Sequence, residues 1–338
     1  MNSDRRRRRQ RQRAACACAL WLWGCHDSKP AADTLPQDER GVTELPAANV
    51  PALAVAANTA QTRSPTDATP SPDGKRIYYL AITQNEGEDV AGVFGVAADG
   101  GGTGEVQTLV QGAPLLTPVG IASSLDGAQL YVADAAGGEQ ATGGVYALPS
   151  AGGGLSLVSG TEGYRPAGLT LAKAGREELL YFTGRDPASG AAGLFSVAPS
   201  GGAVRALATG DSFSQPGGVT ISATGDAYVA DAGEHSARVV RVRGDKVEPF
   251  VENIGVGYPA GITLTRDDHT LIVSGLDPTT KHDVVYFVDV ATGKVAQLSQ
   301  TVGAFSESAG LHRAHDVDVF AWADSRANNS GTVYVLRP

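Results

Sequence analysis

Five glycines, Gly120, Gly168, Gly218, Gly261 and Gly310, each follow a polar residue by three positions: Thr117, Arg165, Gln215, Tyr258 and Glu307. Ser64 stands in the same relation to Asp67. Brought to one rim, such side chains could hold a small polar ligand, with Arg165 clamping an anionic end and Glu307 giving or taking a proton. That chemistry describes a hydrolase or lyase. It competes with a non-catalytic reading, in which the same rim recognises a protein, peptide or glycan. Two positions after the glycine come Thr69, Ala122, Thr170, Thr220, Thr263 and His312. They would make a hydroxyl-rich channel wall, or hydroxyls that satisfy one another in strands that favour threonine.

The connecting segments are acidic, with Glu86, Glu88 and Asp89; Asp134 and Glu139; Asp186; Asp231, Glu234 and His235; Asp277, His282 and Asp283; and Asp324. Oxygen ligands in that number could hold Ca²⁺, which takes six to eight. No segment has the alternating order of a dedicated calcium loop, so the set also reads as a solvated acidic face, and no cofactor is expected. An Asp closing a Tyr-Val-Ala-Asp run, as at Asp134 and Asp231, suits capping of its loop through backbone N–H groups. The rim residues Thr117, Arg165, Gln215, Tyr258 and Glu307, joined by Asp231 and His235, are the candidate binding set. His235 and His282 could pair at a metal or stand exposed in their loops. His312 and His315 are three apart on a strand and leave opposite faces, so they cannot chelate one ion. There is no G-x-S-x-G nucleophile motif.

The elements that must position these residues recur. Segments beginning at residues 118, 166, 216, 259 and 308 align with one another, and TPSPDGKRIYYLA from residue 69 matches the middle of the pattern. The mean period from Asp67 to Gly310 is 48.6 residues. Each copy reads as a short alternating strand, a turn such as Asp73-Gly74 or Asp126-Gly127, and a strand rich in Tyr, Val and Phe. A third strand and, after a Gly-rich turn, a fourth follow. Four antiparallel strands per repeat make a β-propeller blade. The sixth copy stops after its third strand, which would leave an exposed edge. VPALAVA at residues 50–56 lies where a fourth strand would precede the first copy, so it is predicted to pair with Val333–Leu336 and shut a ring of six blades. The fold class is all-β, and such a ring can close as a monomer.

The repeats resemble the NHL and SMP-30-like group of six-bladed propellers. The nearest match is residues 216–241, where PGGV is followed by GDAYVADAGEHSARVVRV. SPDGKRIYYL at residues 71–80 is similar to a TolB-type blade. The resemblance implies architecture rather than chemistry, because propellers host unrelated functions. SMP-30-type enzymes hold a divalent metal with a Glu, two Asn and an Asp; here no Asn occupies the rim and the family's Glu-Gly-Pro start is missing. A metal-dependent lactonase is therefore disfavoured.

The N-terminus supplies an address. RRRRRQRQR at residues 5–13 precedes the apolar stretch AACACALWLW, then Gly24 and Cys25, the order of a secretory signal. The apolar run is shorter than the ~18 residues a spanning helix needs. Leu22-Trp23-Gly24-Cys25 resembles the bacterial lipobox, which implies cleavage before Cys25 and a lipid on its sulfur. Residues 1–24 read as signal peptide, 25–49 as a flexible tether and 50–338 as the propeller. Cys16 and Cys18 would leave with the signal, so the mature chain has no pair of thiols for a disulfide. Loss of seven Arg and one Asp takes the net charge from −9 to −15, which argues against nucleic acid as a partner. The expectation is a cell-envelope lipoprotein, on the periplasmic or outer-membrane face, touching the membrane only through its anchor.

Overall fold

The computed structural model describes residues 42–44, 52–58, 62–99, 101–102, 104–233, 237–257, 259–277, 283–298 and 307–337. Two short N-terminal strands, β1 (Thr43–Glu44) and β2 (Ala52–Ala57), precede the repeats. Blade 1 is β3 (Arg63–Pro70), β4 (Arg76–Asn85), β5 (Glu88–Ala97) and β6 (Gln107–Gln111). Blade 2 is β7 (Pro118–Ser123), β8 (Gln129–Asp134), β9 (Gly144–Pro149) and β10 (Ser156–Leu157). Blade 3 is β11 (Gly168–Ala174), β12 (Glu177–Arg185), β13 (Ala192–Val197) and β14 (Arg205–Thr209). Blade 4 is β15 (Pro216–Ile221), β16 (Ala227–Ala232), β17 (Ala237–Arg243) and β18 (Lys246–Glu252). Blade 5 is β19 (Ile262–Leu264), β20 (Thr270–Leu276), β21 (Asp283–Asp289) and β22 (Val295–Leu298). Blade 6 is β23 (Ser308–Arg313), β24 (Phe320–Asp324) and β25 (Thr332–Arg337), completed by β2.

The ring closes as the repeat arithmetic requires. β2 runs antiparallel to β25, with Leu53 opposite Leu336 and Ala54 opposite Val335. This pairing removes the bare edge that β25 would otherwise present. Within the stretch expected as tether, β1 lies parallel to β22, with Thr43 opposite Ala296, and makes blade 5 five-stranded.

Blades pack face to face through alternating apolar residues, as strand periodicity demands. Tyr79 and Phe94 of blade 1 bury against Ala321, Val333 and Val335 of blade 6. Trp322 and Tyr334, both fully buried, stack within blade 6. Burying one such large side chain contributes roughly 1.5–3 kcal/mol. The first turn of blade 1 is held by side chains: the Ser71 hydroxyl donates to Asp73 at 2.6 Å, and Asp73 accepts the Lys75 N–H. Ser124, Asp126 and Ala128 repeat the arrangement in blade 2.

The marker glycines have a long-range cause. A Cβ on Gly168 would stand 2.3 Å from the Gly217 carbonyl oxygen of the next blade, and one on Gly218 2.1 Å from that of Ala260. At these two junctions the inner strands approach to a distance that excludes any side chain.

Candidate binding face

Residues before each inner strand and after each second strand share one face of the ring. Its construction repeats in alternate blades. Asp134, Asp231 and Asp324, each 0% exposed, lie near the rim ends of β8, β16 and β24. Asp134 accepts the N–H groups of Leu116, Thr117 and Ala136, and the Ala135 N–H returns a bond to the Thr117 carbonyl. Asp231 does the same with Ser214 and Gln215, and the Ala232 N–H reaches the Gln215 carbonyl. Asp324 accepts from Glu307, Arg326 and Ala327, and the Ser325 N–H bonds the Glu307 carbonyl. In blades 3 and 5 glycine takes the carboxylate's place. At Gly184 and Gly275 the incoming chain packs directly on the strand, through Arg185 N–H to Tyr164 O and Leu276 N–H to Gly255 O.

The candidate set therefore divides. Thr117, Arg165 and Gln215 are exposed on the rim, with the backbones of Thr117 and Gln215 fixed beneath them and that of Tyr164, next to Arg165, bonded to Arg185. Glu307 is half-buried, and its Oε2 lies 2.6 Å from Arg326 Nε. Arg165 belongs to the segment leading into blade 3 and Glu307 to that leading into blade 6, on opposite sides of the ring. Asp231 is not a surface contact residue: it is buried beneath the rim, and Arg238 donates to its Oδ2 from Nε and an η nitrogen. Burial pushes the Asp134 carboxyl above the usual carboxylate range, opposed by its bonds from Ala136, Leu116 and Thr117. Cys25, Tyr258, His235, Glu234 and His282 lie outside the described residues.

The proposed hydroxyl wall is mostly internal. Thr69, Ala122, Thr220 and Thr263 are buried, while Thr170 and His312 are half-buried. His312 lies on β23, whereas His315 falls beyond its end at Arg313 rather than on the same strand; His312 Nε2 meets Asp67 Oδ2 at 2.9 Å and His315 Nε2 reaches the Ser123 carbonyl at 2.8 Å. The first contact was not foreseen. Asp67, 2% exposed, stands where the other blades carry glycine and lies against Gly310, and its carboxylate also accepts from Ala68 and Ile121 N–H.

Blade 1 departs from the pattern on the rim as well. β4 and β5 pair from Arg76–Ala97 to Asn85–Glu88, so their hairpin runs beyond Ala81, the counterpart of Asp134. A two-residue turn at Glu86 and Gly87, both at positive φ (52° and 81°), closes it with the twist such hairpins favour. At its foot, on the side turned toward blade 6, lies a cleft of about 550 Å³ lined by Thr62, Arg63, Thr83, Gln84, Phe94, Val106 and Thr108. Thr62 Oγ1 and the Tyr79 hydroxyl are 3.1 Å apart, and burial pushes the phenol's pKa up to about 12. Arg63 bonds Asp89 at 2.5 Å.

Several of the described acidic residues have their oxygens engaged within the rim. Asp134, Asp231 and Asp324 direct their oxygens at backbone N–H groups, Asp186 accepts from Ala188 and Ser189, and Asp89 is held by Arg63. Among the described residues no three His, Cys, Asp or Glu side chains converge as metal ligands.

Ring, blade topology and rim define a six-bladed β-propeller. No protein-family model matches the chain, and no curated protein does. Its solved neighbours include SMP-30/gluconolactonase-like and TolB propellers. A gluconolactonase from Xanthomonas campestris is 15% identical, with a TM-score of 0.55 over 85% of this chain and 96% of that one. TolB from Acinetobacter baumannii is 12% identical, TM-score 0.54, over 72% of this chain and 56% of its own. A chain of the nidogen/laminin complex is 18% identical, TM-score 0.54, over 71% and 81%. At these identities the likeness establishes the fold, which serves both binding proteins and enzymes.

Proposed function

We propose that this chain is an exported binding module, anchored by a lipid on Cys25, whose rim face recognises a protein, peptide or glycan in the bacterial cell envelope. One observation carries the reading. The rim holds exposed Thr117 and Gln215 on backbones locked by buried bonds, with exposed Arg165 beside them, while carboxylates that chemistry would need are engaged by N–H groups or by arginine. Pre-set side chains of this kind lower the ordering cost of binding. The occurrence of this fold in the nidogen/laminin complex supports recognition through a propeller surface.

The test is capture by cross-linking from detergent-solubilised membranes, comparing wild type with the Arg165→Ala/Gln215→Ala double variant. A partner retained by wild type and lost by the folded variant is expected; equal recovery would exclude the rim. Mass spectrometry of the mature N-terminus should find diacylglycerol on Cys25, and an unmodified amine upstream of it would exclude the anchor.

A further inference from the structure

We propose that the cleft at the foot of the blade 1 hairpin is a binding site for a neutral saccharide of one or two rings. The proposal rests on the reading of the chain as a binding module and names the ligand class of a site within it. The volume, about 550 Å³, lies in the range of small-ligand sites. Its lining is chemically mixed in a particular way. Thr83 and Thr108 bring hydroxyls and Gln84 an amide, groups that both donate and accept, as sugar hydroxyls do, while the Thr62 hydroxyl is turned to Tyr79. Val106 supplies an apolar side, and Phe94, 1% exposed, closes the base from within the core.

The charge balance selects against acids. Arg63, the cation of the cleft, is neutralised by Asp89 at 2.5 Å, so a carboxylate or phosphate would have to displace Asp89 or meet it as a like charge. Gln84 Nε2 lies 3.5 Å from the same Asp89 oxygen, and the hairpin tip adds exposed Glu86 and Glu88. Together these residues give a donor-and-acceptor surface without net positive charge, matched to an uncharged polyol. Blade 1 is also the blade whose second and third strands are both ten residues long, the extension that places Thr83 and Gln84 above the rim.

Titration calorimetry on the full chain in detergent tests the assignment with glucose, N-acetylglucosamine and maltose against glucuronate and glucose 6-phosphate. At least one neutral sugar should bind more tightly than either acid. Gln84→Ala and Thr108→Val, both at exposed positions, should each weaken that sugar about tenfold while the unfolding temperature stays unchanged. Asp89→Ala, which frees Arg63, should raise affinity for the acids at least fivefold. A wild-type protein that prefers the acids, or sugar binding indifferent to the cleft variants, overturns the proposal. If wild type binds no sugar but captures its envelope partner through the rim, this proposal fails and the binding-module reading stands. If the sugar is bound in the cleft and chemically altered, the cleft assignment stands and the non-catalytic reading fails.

Discussion

The junction between blades 3 and 4 and the seam between blades 6 and 1 solve the same steric problem differently. At the first, Gly168 faces the Gly217 carbonyl with no room for a Cβ, and the Thr183 hydroxyl donates to that carbonyl at 2.5 Å. At the second, Asp67 replaces glycine, and its carboxylate bonds His312 across the seam and Ile121 in the following blade. Backbone-to-backbone contact makes a junction that repeats. Side-chain contact makes one that can differ, and the cleft under the long hairpin opens on that same flank of blade 1.

The largest effect should come from filling the close approach. Gly218→Ala would drive a methyl into the Ala260 carbonyl and cost about 3 kcal/mol in urea unfolding of the full chain. Gly310→Ala meets the buried Asp67 side chain instead, which can yield only by breaking its bonds to Ile121 and His312, and should cost about 2 kcal/mol while abolishing the coupling between Asp67 and His312. A Gly310→Ala variant that keeps that coupling would contradict the distinction between the two kinds of junction. Next in size, Asp67→Ala strands the Ile121 N–H and the His312 ring and should cost about 2 kcal/mol. A double-mutant cycle with His312→Ala should return a coupling near 1 kcal/mol, and strict additivity would remove the pair from the seam.

A smaller effect is expected in acid. Burial lowers the His315 pKa below its ordinary 6.5, aided by the nearby Arg313 and opposed by the ring's bond to Ser123. The folded ring stays neutral where the unfolded one takes up a proton, so His315's contribution is present above pH 6.5 and is lost as pH falls through 6.5 toward the depressed value. His315→Gln should flatten that part of the stability profile; an unchanged slope assigns it to other groups. Smallest of all, Thr117→Ala, Arg165→Ala and Gln215→Ala should each move stability by less than about 0.5 kcal/mol, because their side chains point away from the junctions.

Ring closure was legible in the sequence because it depends on spacing alone: the missing strand after Thr332–Arg337 and the spare one at Ala52–Ala57 are complementary deficits in a fixed period. The marker glycines were visible as positions, but their cause was not, since at Gly168 and Gly218 the clashing carbonyl belongs to the next blade. The capping role weighed for Asp134 and Asp231 was readable because it is local, joining residues 17 and 16 apart. Asp67 and His312 were each visible as breaks in the repeat, yet their meeting spans 245 residues and exists only once the ring has closed. The cleft was hidden for a related reason. Thr62, Thr83 and Thr108 look like ordinary strand threonines until the hairpin is seen to continue past its neighbours.

The parallel pairing of Thr43 with Ala296 has a mechanical consequence. Tension applied to the chain from its N-terminal side first loads those few bonds on the flank of blade 5, before it reaches Ala52–Ala57. The clasp of the ring thus has a strain relief, as a cable is pinned to a casing just ahead of its connector.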